Sequence, residues 1–74
     1  MLVNKTTLRG YLVVGDDLTV MLNGEVLGKC DNVYSQDNGA MGFRAYVEVA
    51  GRQFGITSVE SSAIRKAMAI QEGL

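Results

Sequence analysis

The sequence predicts an α+β fold: an antiparallel sheet of four or five strands, arranged as a meander of hairpins, with one carboxy-terminal helix packed on one face. Two turn sequences, Asn23-Gly24 and Ala50-Gly51, interrupt apolar strand-like runs, and a capped, Ala-rich segment follows them. The 74 residues include 47% hydrophobic and 20% charged side chains, which is typical of a globular protein. We therefore expect a single domain that spans residues 1–74.

The amino-terminal half is predicted to form the first strands of the sheet. LRGYLVV, residues 8–14, is rich in β-branched and aromatic residues and is too short for a stable helix, so we interpret it as the first strand. GDD then turns the chain into the strand LTVML, and Asn-Gly turns it back. Folding the chain about Asn-Gly sets Met21 opposite Val26. The same register sets Val20 opposite Leu27.

A polar, glycine-containing loop leads to the clearest hairpin of the chain, residues 43–57. Folding FRAYVEVAGRQFGIT about Ala50 and Gly51 sets Val49 opposite Arg52. Because side chains alternate across a strand, one face of this hairpin is apolar and the other is largely polar. The apolar face comprises Ala45, Val47, Val49, Phe54 and Ile56. The opposite face comprises Arg44, Tyr46, Glu48, Gln53 and Thr57.

A capped helix is predicted from about Ser58 to Glu72. Thr57 and Glu60 have the spacing of a capping box, and Gly73 follows where a left-handed carboxy-terminal cap is expected. At about 100° per residue, the apolar side chains form one stripe that we expect to cover the core. The stripe comprises Val59, Ala63, Ala67, Ile70 and Leu74, with Ile64 and Met68 beside it.

The predicted amino-terminal strands are apolar on both faces, although a single helix can cover only one. The second face must close into a small barrel, remain exposed or meet another subunit. Barrel closure in a monomer and a protein interface explain this face equally well. As an interface, it predicts the partner-binding residues Tyr11, Val13, Met21 and Val26. The polar face of the clear hairpin is a second candidate for partner binding, through Arg44 and Tyr46. The alternative is that this face is simply solvated.

Catalytic and metal-binding side chains are scarce in this sequence. It contains no histidine, the commonest general acid or base at neutral pH, so its single cysteine, Cys30, has no histidine partner to raise its nucleophilicity. A structural zinc site needs several cysteine or histidine ligands, and the glycines lack the spacing of a nucleotide-binding loop. We therefore predict no enzyme, no cofactor and no metal, and we expect Cys30 to pack in the core or an interface.

Length and charge favour association between proteins. A domain of this length has a marginal core, and one cysteine allows no disulfide within the chain, so a second copy is the remaining support and we expect a homodimer. The formal net charge of −1 gives no general attraction to nucleic acids or membrane surfaces. No apolar run approaches the roughly 18 residues of a membrane span. We expect a soluble, cytoplasmic protein.

One segment resembles part of a known family. Residues 43–69 resemble the last two strands and final helix of double-stranded-RNA-binding domains. The matching positions are Phe43, Ala45, Val47, Val49, Gly51, Ala63 and Ala67. The sequence departs from the family at the start of the helix, where Val59 and Glu60 replace a lysine pair that meets phosphates, and the family's leading helix is replaced by predicted strands. The resemblance implies nucleic-acid binding, and the cations that such a protein would use here are Arg44, Arg65 and Lys66.

The leading functional hypothesis is a small non-catalytic protein-binding module, homodimeric, that occupies a surface of a partner protein. Its size and composition are similar to those of accessory and inhibitor proteins of phages and mobile elements. The alternative is a small nucleic-acid-binding protein, in which case Arg65 and Lys66 contact phosphates instead of forming a solvated helix face. A third hypothesis is a structural subunit, such as part of a capsid or tail.

Overall fold

In the computed structural model, which describes residues 1–73, the chain forms seven strands and one α-helix. The strands are β1 (Val3–Thr7), β2 (Gly10–Val14), β3 (Thr19–Leu22), β4 (Glu25–Lys29), β5 (Asn32–Asp37), β6 (Phe43–Val49) and β7 (Arg52–Ile56). A single 3-10 turn, Gly39–Met41, lies between β5 and β6, and the helix α1 (Ser58–Glu72) ends the described chain.

The strands are divided between two antiparallel meanders. The first sheet has the order β1-β2-β3-β4 and the second has the order β5-β6-β7. The predicted α+β class, the meander of hairpins and the carboxy-terminal helix are therefore confirmed. The strand count is higher than expected because VNKTT forms an additional edge strand, and because Cys30 and Asp31 separate β4 from β5 in a run that resembled one continuous strand.

The β3–β4 hairpin has the predicted turn, but its register differs from the prediction. Asn23 and Gly24 both adopt positive φ, as a type I′ turn requires. Met21 lies opposite Val26, as predicted. The prediction for Val20 is wrong, because a β-bulge between Val20 and Met21 shifts the pairing by one residue, and Val20 lies opposite Gly28.

The β6–β7 hairpin has the predicted register along its whole length. Val49 lies opposite Arg52, and Val47 lies opposite Phe54. The five side chains predicted for the apolar face are all buried, whereas those of the opposite face are exposed or half-buried. The inner faces of both sheets and α1 thus share one core. Its most completely buried members are Leu12, Val14, Val20, Val47, Val49 and Ile64.

The helix begins as predicted and ends differently. The Thr57 hydroxyl accepts from the Glu60 backbone N–H at 3.1 Å, and the Thr57 N–H donates to Glu60 Oε1 at 2.8 Å, which completes the capping box. The prediction of a left-handed cap at Gly73 is wrong. This residue has φ −78° and ψ −8°, which continues right-handed helical geometry, and its N–H bonds to the Ala69 carbonyl.

The helix face that covers the core also differs from the predicted stripe. Val59 is 78% exposed and Ile70 is 59% exposed, whereas Ile64 and Ser61 are buried. Glu60, one helical turn before Ile64, bonds to Lys5 of the first sheet at 2.8 Å, so the side of the helix that carries Glu60 and Ile64 faces the sheets. Predicted stripe member Leu74 lies outside the described residues.

Candidate functional site

The outer face of the first sheet carries an apolar patch. Tyr11, Val13, Met21 and Val26 lie on the side opposite the core, and we name this set the outer patch. Val13 is paired with Met21 across β2 and β3, and Met21 is paired with Val26 across β3 and β4. Tyr11 is 44% exposed and Val26 is 60% exposed. These four side chains lie outside the core, so they do not fill a closed barrel.

Close packing in the β2–β3 hairpin places Tyr11 at the border of the outer patch. The Tyr11 N–H donates to Asn23 Oδ1 at 2.9 Å, and the Tyr11 carbonyl accepts from the Asn23 N–H at 2.9 Å. Gly10 allows this approach, because a Cβ at that position would lie 2.5 Å from Asn23 Nδ2 and its φ is +133°. Both backbone hydrogen-bonding groups of Tyr11 are thus held by Asn23.

A second surface lies where the free edge of β7 faces the β1–β2 turn. It is an open depression of about 630 Å³, which we name the β1–β7 groove. Residues 5–9 line one side, residues 53–55 come from β7, and Asn38, Met41, Arg44 and Tyr46 complete the lining. The groove therefore joins both sheets.

Contacts with the β7 strand hold the two sides of the groove together. Arg9 Nη1 donates to the Gln53 carbonyl at 3.1 Å. The guanidinium groups of Arg9 and Arg52 each lie 5.4 Å from the centroid of the buried Phe54 ring, within range of a cation–π interaction. Tyr46 is fixed separately, because its hydroxyl accepts from Asn38 Nδ2 at 3.2 Å and its ring stacks on another tyrosine of the second sheet.

The groove combines positive charge with exposed apolar side chains. Its described lining includes the cations Lys5, Arg9 and Arg44 and no carboxylate. The Lys5 amine is already paired with a carboxylate of α1 at 2.8 Å, so the two arginines supply the excess positive charge. Leu8 and Met41 project into solvent at the rim. This arrangement favours a ligand that carries both carboxylate or phosphate groups and apolar groups.

The predicted site residues fall on separate surfaces. Four partner-binding candidates form the outer patch, and the other two, Arg44 and Tyr46, line the β1–β7 groove. Arg65 and Lys66 are exposed on α1 and do not line the groove with Arg44. Sequence reasoning missed the contributions of Lys5, Leu8 and Arg9 and of the β5–β6 connection. No local pattern could have found them, because the groove forms between segments far apart in the chain.

Cys30 occupies a buried position where β4 passes into β5. Its Sγ donates to the Asn32 carbonyl at 3.5 Å. Burial raises the pKa of the Cys30 thiol, which favours the protonated and poorly nucleophilic form. Its surroundings therefore suit packing.

Within the described residues, no group of three or more histidine, cysteine, aspartate or glutamate side chains is arranged to hold a metal ion. No helix in residues 1–73 has the length and apolar character needed to cross a membrane.

The chain matches no protein-family model, no curated protein and no solved structure significantly. The resemblance to double-stranded-RNA-binding domains therefore rests on the order β6-β7-α1 and on the residues given above.

Proposed function

We propose that this chain is a small non-catalytic protein-binding module that forms a homodimer and acts in the cytoplasm by occupying a surface of a partner protein. The observation that carries this proposal is the outer patch: four contiguous apolar side chains on the face of the first sheet that α1 does not cover. In water, a contiguous apolar patch of this kind is a typical site of protein association.

The composition of the outer patch and its surroundings supports a contact between two copies. Tyrosine and methionine are enriched in protein interfaces, and an interface usually has an apolar centre with a polar rim. Strand alternation sets Asn4, Thr6 and Thr19 on the same face, around the apolar centre. When the outer patches of two copies meet across a twofold axis, each patch covers the other, and the assembly closes as a dimer.

The mass of the protein in solution tests the dimer. We expect a dimer for the wild type and a monomer for Met21→Asp, because the new carboxylate would be desolvated at the centre of the interface. Val59→Asp is the matched control, since it adds the same charge at an exposed apolar residue of α1 and should leave the dimer intact. A wild type that stays monomeric at its highest accessible concentration contradicts the dimer, and a large ring or filament supports a structural subunit.

The partner-binding role belongs to the β1–β7 groove, which contains none of the four outer-patch residues and shares only Thr6 with the polar rim around them. A groove with exposed Leu8 and Met41 beside Arg44, which has no ion-pair partner within residues 1–73, supports binding to another protein. We include in this proposal an accessory or inhibitor role of the phage or mobile-element type, on the grounds of size and composition alone.

Nucleic-acid binding is the second candidate, and the excess positive charge of the groove supports it. Arg44 lies in the groove, and Arg65 and Lys66 add exposed cations on α1. Binding to RNA or DNA through these residues should weaken steeply as salt rises, because phosphate contacts release counterions. Titration of a labelled duplex RNA at low and moderate salt decides this candidate, and absence of binding at low salt removes it.

A further inference from the structure

We propose that the free edge of β7 binds an extended, acidic segment of a partner protein, which adds to the second sheet as a further antiparallel or parallel strand within the β1–β7 groove. This inference names the partner chemistry for the proposed protein-binding function and rests on that function. It is independent of the outer patch and of the dimer.

Both strands that border the groove have an unpaired edge. Among the described residues, β7 pairs only with β6, and β1 pairs only with β2. The outward edge of such a strand presents backbone N–H and C=O groups that can pair with another chain. The two edges lie on opposite sides of the groove, so an inserted segment would meet backbone groups of this protein on at least one side.

The turn geometry identifies which groups of β7 point into the groove. Ala50 and Gly51 have φ of 49° and 78°, as in a two-residue type I′ turn, so Val49 and Arg52 form the first hydrogen-bonded pair of the hairpin. The backbone groups of residues 53 and 55 then point away from β6. The bond from Arg9 Nη1 to the Gln53 carbonyl agrees with this direction and already occupies that acceptor, so the outward N–H and C=O groups of Gly55 are the ones offered to a ligand.

The β7 edge lacks protection at Gly55. Natural edge strands are commonly blocked by proline or by charged side chains, and this chain contains no proline. Gly55 has no side chain, and an added Cβ would lie 3.9 Å from Arg44 Cδ and from Tyr46 Cε1, at ordinary contact distance. A ligand backbone can therefore approach Gly55 closely, with Arg44 and Tyr46 beside it.

The charge of the groove selects an acidic segment. The whole chain has eight acidic and seven basic side chains, yet the described groove lining contains three cations and no carboxylate. Arg44 has no acidic partner among the described residues, and its Cδ lies 3.9 Å from the position of a Cβ on Gly55, which sets this cation beside the β7 edge. Apolar side chains on the same segment would contact Leu8 and Met41. A nucleic acid would use the arginines but not the backbone edge, which is why we favour a peptide.

Binding of a synthetic probe tests the inference. The probe is a fluorescent eight-residue peptide of alternating valine and glutamate, and fluorescence anisotropy measures its affinity at low salt. We expect binding by the wild type and binding at least about tenfold weaker by Gly55→Pro, which removes the outward N–H without breaking the β6–β7 ladder. Gly55→Ala is the matched control and should bind within about twofold of the wild type, because its N–H remains and its Cβ fits.

Changes to the probe keep the test valid if Gly55→Pro fails to fold. A peptide with valine and lysine should not bind measurably, and the valine–glutamate peptide N-methylated at every second residue should bind at least about tenfold more weakly, because it cannot pair with an edge. Arg44→Gln should weaken binding of the acidic peptide several-fold while leaving the lysine peptide unbound.

Three results would overturn the inference. The first is absence of wild-type binding to the acidic peptide, and the second is equal binding of the N-methylated peptide. The third is displacement of the acidic peptide by a single-stranded oligoribonucleotide that binds Gly55→Pro as tightly as it binds the wild type. The dimer is judged separately from the mass of Met21→Asp. Peptide binding by a monomeric wild type would remove the dimer and leave the strand-addition site intact.

Discussion

Glu60 links the amino terminus of α1 to the first sheet. Its Oε1 accepts from Lys5 Nζ and from the Thr57 N–H, each at 2.8 Å, and its side chain is only 18% exposed. Burial opposes ionisation of this carboxyl and would raise its pKa. The hydrogen bond and positive charge of Lys5, together with the hydrogen bonds to Thr57, outweigh burial and hold the pKa of Glu60 below its usual value. The ionised form of Glu60 is therefore the form that stabilises the folded protein.

This lowered pKa predicts how stability responds to acid. A carboxyl whose pKa is lower in the folded than in the unfolded protein contributes stability above its unfolded pKa of about 4.3 and loses that contribution as pH falls through the folded pKa. We expect Glu60→Gln to lower the free energy of unfolding by about 1 kcal/mol at neutral pH and to have a smaller effect near pH 3. Urea unfolding of both proteins at the two pH values measures this. A difference that does not change with pH would contradict the role of ionisation.

The two contacts of Glu60 differ in how well the sequence predicts them. The capping box joins Thr57 to Glu60 within one helical turn, so its residue types and spacing were sufficient. The Lys5 contact spans 55 positions along the chain, and no local pattern marks it. The same reason explains why Arg9, whose bond to Gln53 spans 44 positions, was read only as part of a strand.

At the scale of the elements, the rotation of α1 decides which side chains enter the core. The helix spans Ser58–Glu72 as predicted, but Ile64 is completely buried and Ile70 lies largely in solvent. Apolar residues occur on more than one side of this helix, so the sequence pattern alone allowed more than one orientation. The anchor at Glu60 and the shape of the two inner sheet faces select the observed one.

Paired alanine substitutions test this orientation. Ile64→Ala should lower the free energy of unfolding by about 2–5 kcal/mol, because it removes buried methyl groups and leaves a cavity. Ile70→Ala, the same chemical change at an exposed position, should alter it by less than about 0.5 kcal/mol. Urea unfolding at neutral pH measures both. The reverse order of effects would support the orientation predicted from the sequence.

The two hairpins show a similar contrast between local and packing effects. In β6 and β7 the apolar residues alternate without interruption about a tight turn, and the register followed from that pattern. In β3 and β4 the turn was predicted, but the bulge between Val20 and Met21 was not. The bulge sets Gly28 opposite Val20, with the position of its missing Cβ 3.7 Å from Val49 of the second sheet. The bulge therefore sets a residue without a side chain, Gly28, at the point where β4 packs against Val49 of the second sheet.

At the scale of the whole molecule, the two sheets and α1 enclose one core and leave two different surfaces outside it. The outer patch belongs to the first sheet alone, whereas the β1–β7 groove needs both sheets. A homodimer formed through the outer patch would leave the β7 side of the groove open on each subunit, because the two surfaces adjoin only at Thr6. Self-association and partner binding can therefore be measured independently.

The dimer makes thermal stability depend on protein concentration. Because association stabilises only the folded state, the wild-type Tm should rise by about 5 °C for each tenfold increase in concentration, given an unfolding enthalpy of about 0.7 kcal/mol per residue for two chains. Met21→Asp should show a Tm that does not depend on concentration, whereas Val59→Asp should behave like the wild type. Differential scanning calorimetry at several concentrations measures this. A constant wild-type Tm would count against the dimer.

Local sequence patterns were sufficient to predict the α+β class, the Asn23-Gly24 and Ala50-Gly51 turns, the register of β6 and β7 and the amino-terminal cap of α1. Each depends on residues close together in the chain, where alternation, turn φ values and capping geometry act locally. Three features could be seen only in the folded chain: the division into two sheets, the side of α1 that Ile64 occupies and the groove at Gly55. These features depend on how distant segments pack, which is set by the shape of the shared core and by long-range bonds such as that of Lys5 to Glu60.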